Sequence, residues 1–429
     1  MITENEPGTG LAARIPGSKS LTNRLLLLAA AADGTSRVHA PLVSEDTVAF
    51  REALSACGHT VRTGPRDQYW DVTGTGRGPS GSARPWCADA GTAARFLPPF
   101  AATGHGAFLF DGSAQLRARP QRPLLDALRA LGADLEPGPG NGLPLLIRAQ
   151  GLAGGELTVD SSLSSQYLSG LLMAAPLMRE GLRIRTGSLV SRPYVDMTLA
   201  LMRRFGARVD EGEDGTLHVE PRPYAATDVA VEPDASSASY VFAAAAVTGS
   251  SVTVPGLGAD SLQGDLRFVE VLARTGAEVH VGATATTVTG TGPLRGGFTV
   301  DMGEISDTFM TLAAIAPLAD APITIRGVAH ARLKESDRVA AVAANLRACG
   351  IETAEGPDWI TVHPGVPRPT RIDCRRDHRI AMSFSVLGLA VPDTISLDDP
   401  DCVAKTFPEF HDEMRRLFTG YALASSTSR

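Results

Sequence analysis

One recurrence constrains this 429-residue chain more than any other feature. A stretch of apolar residues opened by a small polar residue returns at nearly constant spacing. Its copies begin near Ser20 (SLTNRLLLLAAAA), Thr92 (TAARFLPPFAA), Ser164 (SSQYLSGLLMAAP), Ser236 (SSASYVFAAAA), Ser306 (SDTFMTLAAIAP) and Asp377 (DHRIAMSFSVLGLA), at intervals of 72, 72, 72, 70 and 71 residues. A second pattern, an amphipathic helix ending at a glycine, recurs independently. The glycines are Gly58, Gly132, Gly206, Gly276, Gly350 and Gly420, at intervals of 74, 74, 70, 74 and 70. Glycine suits the residue after a helix because left-handed backbone angles cost it little. Short strand signals such as "YWDVTGTG", "GTLHVEPR" and "DWITVHPG" follow most copies. The chain therefore reads as six α/β units of about 70 residues. Six such units exceed one ordinary core, so two domains of three units each are expected. The break falls around "ATDVAVEPDASS", 226–237.

The first set of helices is apolar nearly all round, so each belongs in a domain interior. Their N-termini carry the chemistry. If the helices run parallel, those ends form one anion-attracting region through free N–H groups and dipoles. This resolves an oddity in "IPGSKSLTNRLLLL": Lys19 and Arg24 stand in the first turns of a helix, where a cation costs about 0.3–1 kcal/mol. A bound anion makes them favourable.

Lysine usage sharpens the point. The 40 basic residues comprise thirty-seven arginines and only Lys19, Lys334 and Lys405. Where arginine is the default cation, a retained lysine marks a need for a compact ammonium or a tunable pKa. Lys334 lies in "RLKESDR", which in isolation reads as a solvated helix start. Lys405 precedes the Pro-started "PEF", and "DHRIAM" puts Asp377, His378 and Arg379 at the head of an apolar helix.

Several function classes are excluded or disfavoured. The net charge of -7 argues against a nucleic-acid or anionic-membrane surface. Apolar runs such as Leu25–Ala32 are too short to span a bilayer, and no signal peptide opens the chain. Five cysteines without CxxC spacing predict a reduced, cytoplasmic protein. The nine histidines show no metal-ligand spacing, so no metal is expected. "PGSKS" lacks the GxxxxGK[ST] pattern of a nucleotide-binding phosphate loop.

With these motifs in order, from "PGSKSLTNR" through "AGTAARF", "RARPQRPLLDAL", "SSLSSQYLSGLLM", "SRPYVDMTL", "DASSASYVFAAAA", "SLQGDLRF", "ISDTFMT", "RLKESDR" and "DHRIAM" to "AKTFPEF", the chain resembles the enolpyruvyl transferases, and among them the EPSP synthase family. The resemblance implies a two-domain inside-out α/β barrel of six βαβαββ repeats, three per domain, with buried parallel helices pointing to an interdomain cleft. It implies a first domain over 17–232, on the shikimate 3-phosphate side. The second domain would combine 1–16 with 233–421, leaving 422–429 as a disordered tail. The implied reaction moves the enolpyruvyl group of phosphoenolpyruvate (PEP) to the 5-hydroxyl of shikimate 3-phosphate through a tetrahedral intermediate. That places the chain in the shikimate pathway, leading to chorismate and the aromatic amino acids, with no cofactor and as a monomer.

The resemblance also carries residue roles. Shikimate 3-phosphate would be held by Lys19, Ser20, Arg24, Ser164, Ser165, Gln166, Ser191, Tyr194, Asp307 and Lys334. PEP would be clamped by Lys19, Gly91, Arg119, Gln166, Arg338, Arg379 and Lys405. Asp307, assisted by Lys334, would take the hydroxyl proton, and Glu335 or Lys405 would deliver one to the PEP methylene. Lys19 and His378 would stabilise the departing phosphate and the tetrahedral centre.

Two positions depart from the family. Asp89 and His330 stand where Asn is frequent, and a carboxylate beside a trianion repels it unless paired, with Arg119 or Arg95 as candidates. These departures leave open a paralogue acting on another shikimate-like acid, or an inactive ligand-binding one. The related UDP-N-acetylglucosamine enzymes often carry a loop cysteine, which "DGSAQLRARP" lacks.

Overall fold

The computed structural model describes residues 11–161, 164–189 and 191–421. The chain divides into two compact units, Gly17–Val231 and a second formed by Met1–Pro16 with Glu232–Arg429. The disordered tail expected over 422–429 lies outside the described residues, as do 1–10.

Each unit contains three of the apolar helices. In Gly17–Val231 they are α1 (Lys19–Ala31), α2 (Gly91–Ala102) and α3 (Ser165–Ala174). In the second unit they are α4 (Ala235–Thr248), α5 (Phe309–Ile315) and α6 (His378–Ala390). All six are buried along nearly their whole length, as their uniformly apolar sequences require. Polar caps set where four of them start. Ser18, Ser164, Asp234 and Asp377 accept backbone N–H bonds from Leu21, Gln166, Ser237 and Arg379 at 3.5, 3.2, 2.7 and 3.1 Å. The fifth helix begins three residues later than the SDTF motif suggests, because residues 306–308 form a turn between the 3-10 segment Gly303–Ile305 and the helix.

The helices pack backbone to backbone where small residues allow it. A Cβ at Gly170 of α3 would stand 2.4 Å from the Arg95 carbonyl oxygen of α2. Gly170→Ala is therefore expected to lower stability by about 1–3 kcal/mol in a denaturant titration, although alanine is the better helix former.

Around the helices lie open sheets of one recurring topology. In the sheet built from Ser80–Ala83, His105–Phe110, Asp134–Gly138 and Gly142–Gln150, the first strand runs parallel to the second. The other two form a hairpin antiparallel to that second strand. The sheets around Leu182–Leu189, Ser251–Pro255, Ile323–Arg326 and Ala32–His39 repeat this parallel–antiparallel–antiparallel order. The sixth sheet departs from it: Thr370–Ile372 and Ile395–Leu397 pair parallel with no hairpin beside them.

The architecture is thus mixed α/β with many separate sheets. No closed barrel of strands forms among the described residues, because each sheet ends at free edge strands. The barrel expected from the sequence is corrected to that extent.

Two sheets are completed by distant chain. Tyr224–Ala225 and Val229–Ala230 supply the parallel neighbours of Ala32–His39. Leu11–Ala12 supplies that of Ser251–Pro255. The segment bearing Leu11–Ala12 is also tied to the helix Phe410–Leu417. Arg14 donates its backbone N–H to Glu413 at 2.6 Å, and Arg416 donates to the Ala12 carbonyl at 2.6 Å.

Candidate active site

In the unit Gly17–Val231 the polar groups gather at the N-terminal ends of α1, α2 and α3. Lys19 opens α1, and its ammonium lies 3.1 Å from Asp46, a nearly buried carboxylate on the helix Glu45–Ala56. One turn on, Arg24 is 1% exposed. Its hydrogen bonds among the described residues go to neutral oxygens. They are Thr198 Oγ1 at 2.8 Å, Ser169 Oγ at 3.3 Å, and the carbonyls of Ser20 at 3.0 Å and Tyr194 at 3.2 Å. Burial lowers its pKa to about 10. The guanidinium stays charged, and its hydroxyl and carbonyl partners leave that charge uncancelled. Phe96 of α2 closes one side, its ring centre 5.2 Å from the guanidinium carbon.

Ser164 and Ser165 cap and open α3, and Gln166 follows. Gln166 accepts from Arg95 at 2.7 Å, joining α3 to α2. Arg119 lies against Gly91, the first residue of α2. A Cβ at Gly91 would meet Arg119 Nη1 at 2.6 Å and Arg95 Nη1 at 3.6 Å. The Arg119 loop is held by the Tyr167 hydroxyl, which donates to the Pro120 carbonyl at 2.6 Å. Two guanidinium groups thus flank the start of a buried helix, an arrangement suited to a polyanion. Asp89 accepts from the Ser113 hydroxyl, a partner that sequence reasoning did not anticipate. Ser191, with φ 55°, immediately precedes the helix Arg192–Arg204, and Tyr194 lies in its first turn. The carbonyl of Tyr194 reaches both Arg24 and Thr198.

In the second unit the site is an ion cluster. Arg338, the first residue of the helix Arg338–Ala348, is 2% exposed and meets three carboxylates. Its Nε donates to Asp377 Oδ2 at 2.9 Å, Nη1 to Asp307 Oδ1 at 3.0 Å and Nη2 to Glu335 Oε2 at 2.7 Å. Arg379 donates to Asp307 Oδ2 at 2.7 Å. Asp377 also caps α6 and accepts from the Ser336 hydroxyl at 2.9 Å. Burial alone would raise the pKa of Asp307, but Arg379, Lys334 and Arg338 outweigh it and hold the carboxyl well below the usual range. Burial likewise opposes ionisation of Arg338, and Asp377, Glu335 and Asp307 more than offset it. His378 is fully buried, its Nδ1 3.8 Å from Asp377 Oδ1. Lys405 ends the 3-10 segment Pro400–Lys405 and is 6% exposed.

The structure thus brings Asp307, Glu335, Arg338 and Arg379 into one cluster, with Lys334 within electrostatic reach of Asp307. It links Arg24 to Tyr194, and Gly91 to Arg119. Asp46, Arg95, Ser169, Thr198 and Asp377 are additions to the candidates read from the sequence. Only Asp377, at a cap position, and Arg95, as a candidate partner of Asp89, carried a sequence signal. Among the described residues no group of three or more His, Cys, Asp or Glu is arranged to hold a metal. No described helix is long and apolar enough to cross a membrane.

His330 donates to or accepts from the Ser306 hydroxyl at 2.7 Å. Burial, followed by Lys334, pushes its pKa down from 6.5 to about 4. A histidine depressed on folding is protonated more readily in the unfolded chain. Its contribution to stability is complete above pH 6.5 and is lost as pH falls towards 4, by up to about 3 kcal/mol. His330→Asn should flatten the fall in thermal midpoint between pH 6.5 and 4 relative to the unaltered protein.

The family model described as EPSP synthase (3-phosphoshikimate 1-carboxyvinyltransferase) matches residues 9–414. A 3-phosphoshikimate 1-carboxyvinyltransferase of Nostoc punctiforme is 42% identical over 400 residues, covering 92% of this chain and 93% of its own. One from Marinomonas is 40% identical over 407 residues, covering 93% and 95%. Among solved structures, EPSP synthase from Acinetobacter baumannii superposes with a TM-score of 0.76 at 25% identity, covering 96% of this chain and 97% of its own. The enolpyruvyl transferase NikO from Streptomyces tendae gives 0.74 at 22% identity, covering 96% and 95%, a likeness of fold alone.

Proposed function

Because the chain belongs to the EPSP synthase family, we propose that it transfers the enolpyruvyl group of PEP to the 5-hydroxyl of shikimate 3-phosphate, releasing phosphate. The observation that carries this reading is the 42% identity extending over 92% of the chain. In fold, the reading includes six βαβαββ repeats arranged as an inside-out barrel, with the sixth repeat lacking its hairpin.

The unit 17–231 is assigned to shikimate 3-phosphate. Ser20 and Arg24 take the ring carboxylate, a role suited to a buried cation with neutral partners. Ser164, Ser165, Gln166 and Ser191 take the 3-phosphate through hydroxyl, amide and backbone donors, and Tyr194, Asp307 and Lys334 contact the ring side. PEP, with its phosphate and carboxylate, requires several cations, supplied by Lys19, Arg119, Arg338, Arg379 and Lys405 beside the Gly91 backbone.

The chemistry is an addition followed by an elimination. The 5-hydroxyl oxygen bonds to C2 of PEP and its proton passes to Asp307. The PEP methylene carbon gains a proton from Glu335 or Lys405, giving a ketal phosphate. That carbon then returns the proton as the C2–O bond to phosphate breaks, restoring the vinyl group. Lys19 and His378 are assigned to the charge that develops on the departing phosphate.

Phosphate release by the purified protein tests the reading. Turnover with PEP and shikimate 3-phosphate, and none with shikimate or UDP-N-acetylglucosamine, is the expected result. Turnover only with a different acid, or none at all, overturns it. Gly91→Ala separates binding from stability. The added methyl displaces the flexible Arg119 terminus rather than backbone, so KM for PEP should rise about tenfold or more. The thermal midpoint should hold or increase, since alanine favours the helix.

A further inference from the structure

The three carboxylates on Arg338 are not equivalent. Asp377 is fully buried, holds Nε at 2.9 Å, reaches Nη2 at 3.3 Å, and is simultaneously committed to capping α6 and to Ser336. Its bond to Arg338 is part of the scaffold. Asp307 and Glu335 are partly exposed, with side chains at 18% and 10%, and they hold the terminal nitrogens Nη1 and Nη2. Asp307 spends its second oxygen on Nη2 of Arg379. Both terminal nitrogens of Arg338, and Nη2 of Arg379, are therefore already occupied by carboxylates of the protein itself.

We propose that Asp307 and Glu335 are built-in competitors for the anion site formed by Arg338 and Arg379, so that PEP takes over these guanidinium groups and thereby releases Asp307 to act as the base. The proposal rests on the reading that these two arginines hold PEP. While Asp307 is shared between two guanidinium groups, its lone pairs are engaged in charge-assisted bonds and it is a poor proton acceptor. When the carboxylate or phosphate of PEP takes both terminal nitrogens of Arg338 and Nη2 of Arg379, Glu335 and Asp307 lose those partners, and Lys334 remains the cation within electrostatic reach of Asp307. The 5-hydroxyl proton then has an acceptor. Arg338 does not swing away during the exchange, because Nε stays on Asp377. The protein thus makes its base available only when the group to be attacked is in place.

This arrangement reverses the usual expectation for a binding-site mutation. If Asp307 and Glu335 merely oriented the arginines, removing their charge would weaken anion binding. If they compete, removing it strengthens binding. The experiment is titration calorimetry of PEP and of inorganic phosphate, each without acceptor so that no turnover occurs, on the full chain. Asp307→Asn and Glu335→Gln should each bind both anions about tenfold more tightly, a shift within the ordinary range of coupling between sites. Asp307→Asn should at the same time lose at least a hundredfold in turnover. Asp377→Asn should bind more weakly, since it loosens Nε. Circular dichroism melts establish that each variant is folded, and Glu335→Gln carries the test if Asp307→Asn is not. Equal or weaker anion binding by both competing-site variants overturns the proposal. Arg379→Gln distinguishes this from failure of the underlying reading. Weakened PEP binding there, with no tightening in Asp307→Asn, overturns only the exchange. Unchanged PEP binding in Arg379→Gln overturns the assignment of Arg379 and the exchange with it.

Discussion

Arg338→Met should lower the stability of the second unit by about 3–5 kcal/mol. Methionine fills a similar volume, so the loss comes from charge rather than from a cavity. Arg338 is the meeting point of Asp377, Asp307 and Glu335, and Asp377 has no exposure to water. Removing the cation leaves that carboxylate buried without its main counter-charge, and the desolvation already incurred is no longer offset. For a unit of about two hundred residues this corresponds to roughly 6–20 °C in thermal midpoint. Differential scanning calorimetry measures it directly. Arg338→Met combined with Asp377→Asn should recover part of the loss, because the double change removes both charges. A midpoint within a degree of the unaltered protein would mean that the cluster is not what holds these helices together.

The second large effect is on turnover. Lys19→Ala should reduce kcat/KM for PEP by about a thousandfold, comparable to removal of one or two strong donors to transition-state charge. Lys19→Arg should recover little, because a planar guanidinium cannot replace a compact ammonium at the same point. The Lys19–Asp46 pair at 3.1 Å supplies a rival explanation, in which the loss reflects only a stranded Asp46. Lys19→Ala with Asp46→Asn separates the two. Recovery of the thermal midpoint without recovery of turnover assigns the effect to catalysis. Recovery of both would reduce Lys19 to a structural residue.

Much of the architecture is legible in the sequence alone. The apolar helices begin within three residues of the positions that their spacing marks. A wholly buried helix leaves a periodic and unambiguous apolar record, and Ser18, Ser164, Asp234 and Asp377 write its start as a cap. Lysine scarcity points to Lys19, Lys334 and Lys405 without any contact being known. What stays hidden depends on long-range partners. "RLKESDR" reads as a solvated charge run, yet Arg338 is buried, because the carboxylate that compensates it comes from Asp377, 39 positions away. Thr198 and Ser169 look like ordinary helix residues until Arg24, 174 and 145 positions earlier, is found against them.

The way the N-terminal segment is secured bears on how the protein is made. Leu11–Ala12 emerges from the ribosome well before its partners: its strand neighbour is Ser251–Pro255, Arg416 grips the Ala12 carbonyl, and Glu413 grips the Arg14 N–H just beyond. The unit 17–231 is continuous and has all of its described strands in hand once Ala230 is out. It can fold while synthesis continues. The other unit has to keep that strand waiting some 240 residues for its neighbour and some 400 for Glu413, so its cooperative closure is postponed until the helix Phe410–Leu417 has left the exit tunnel.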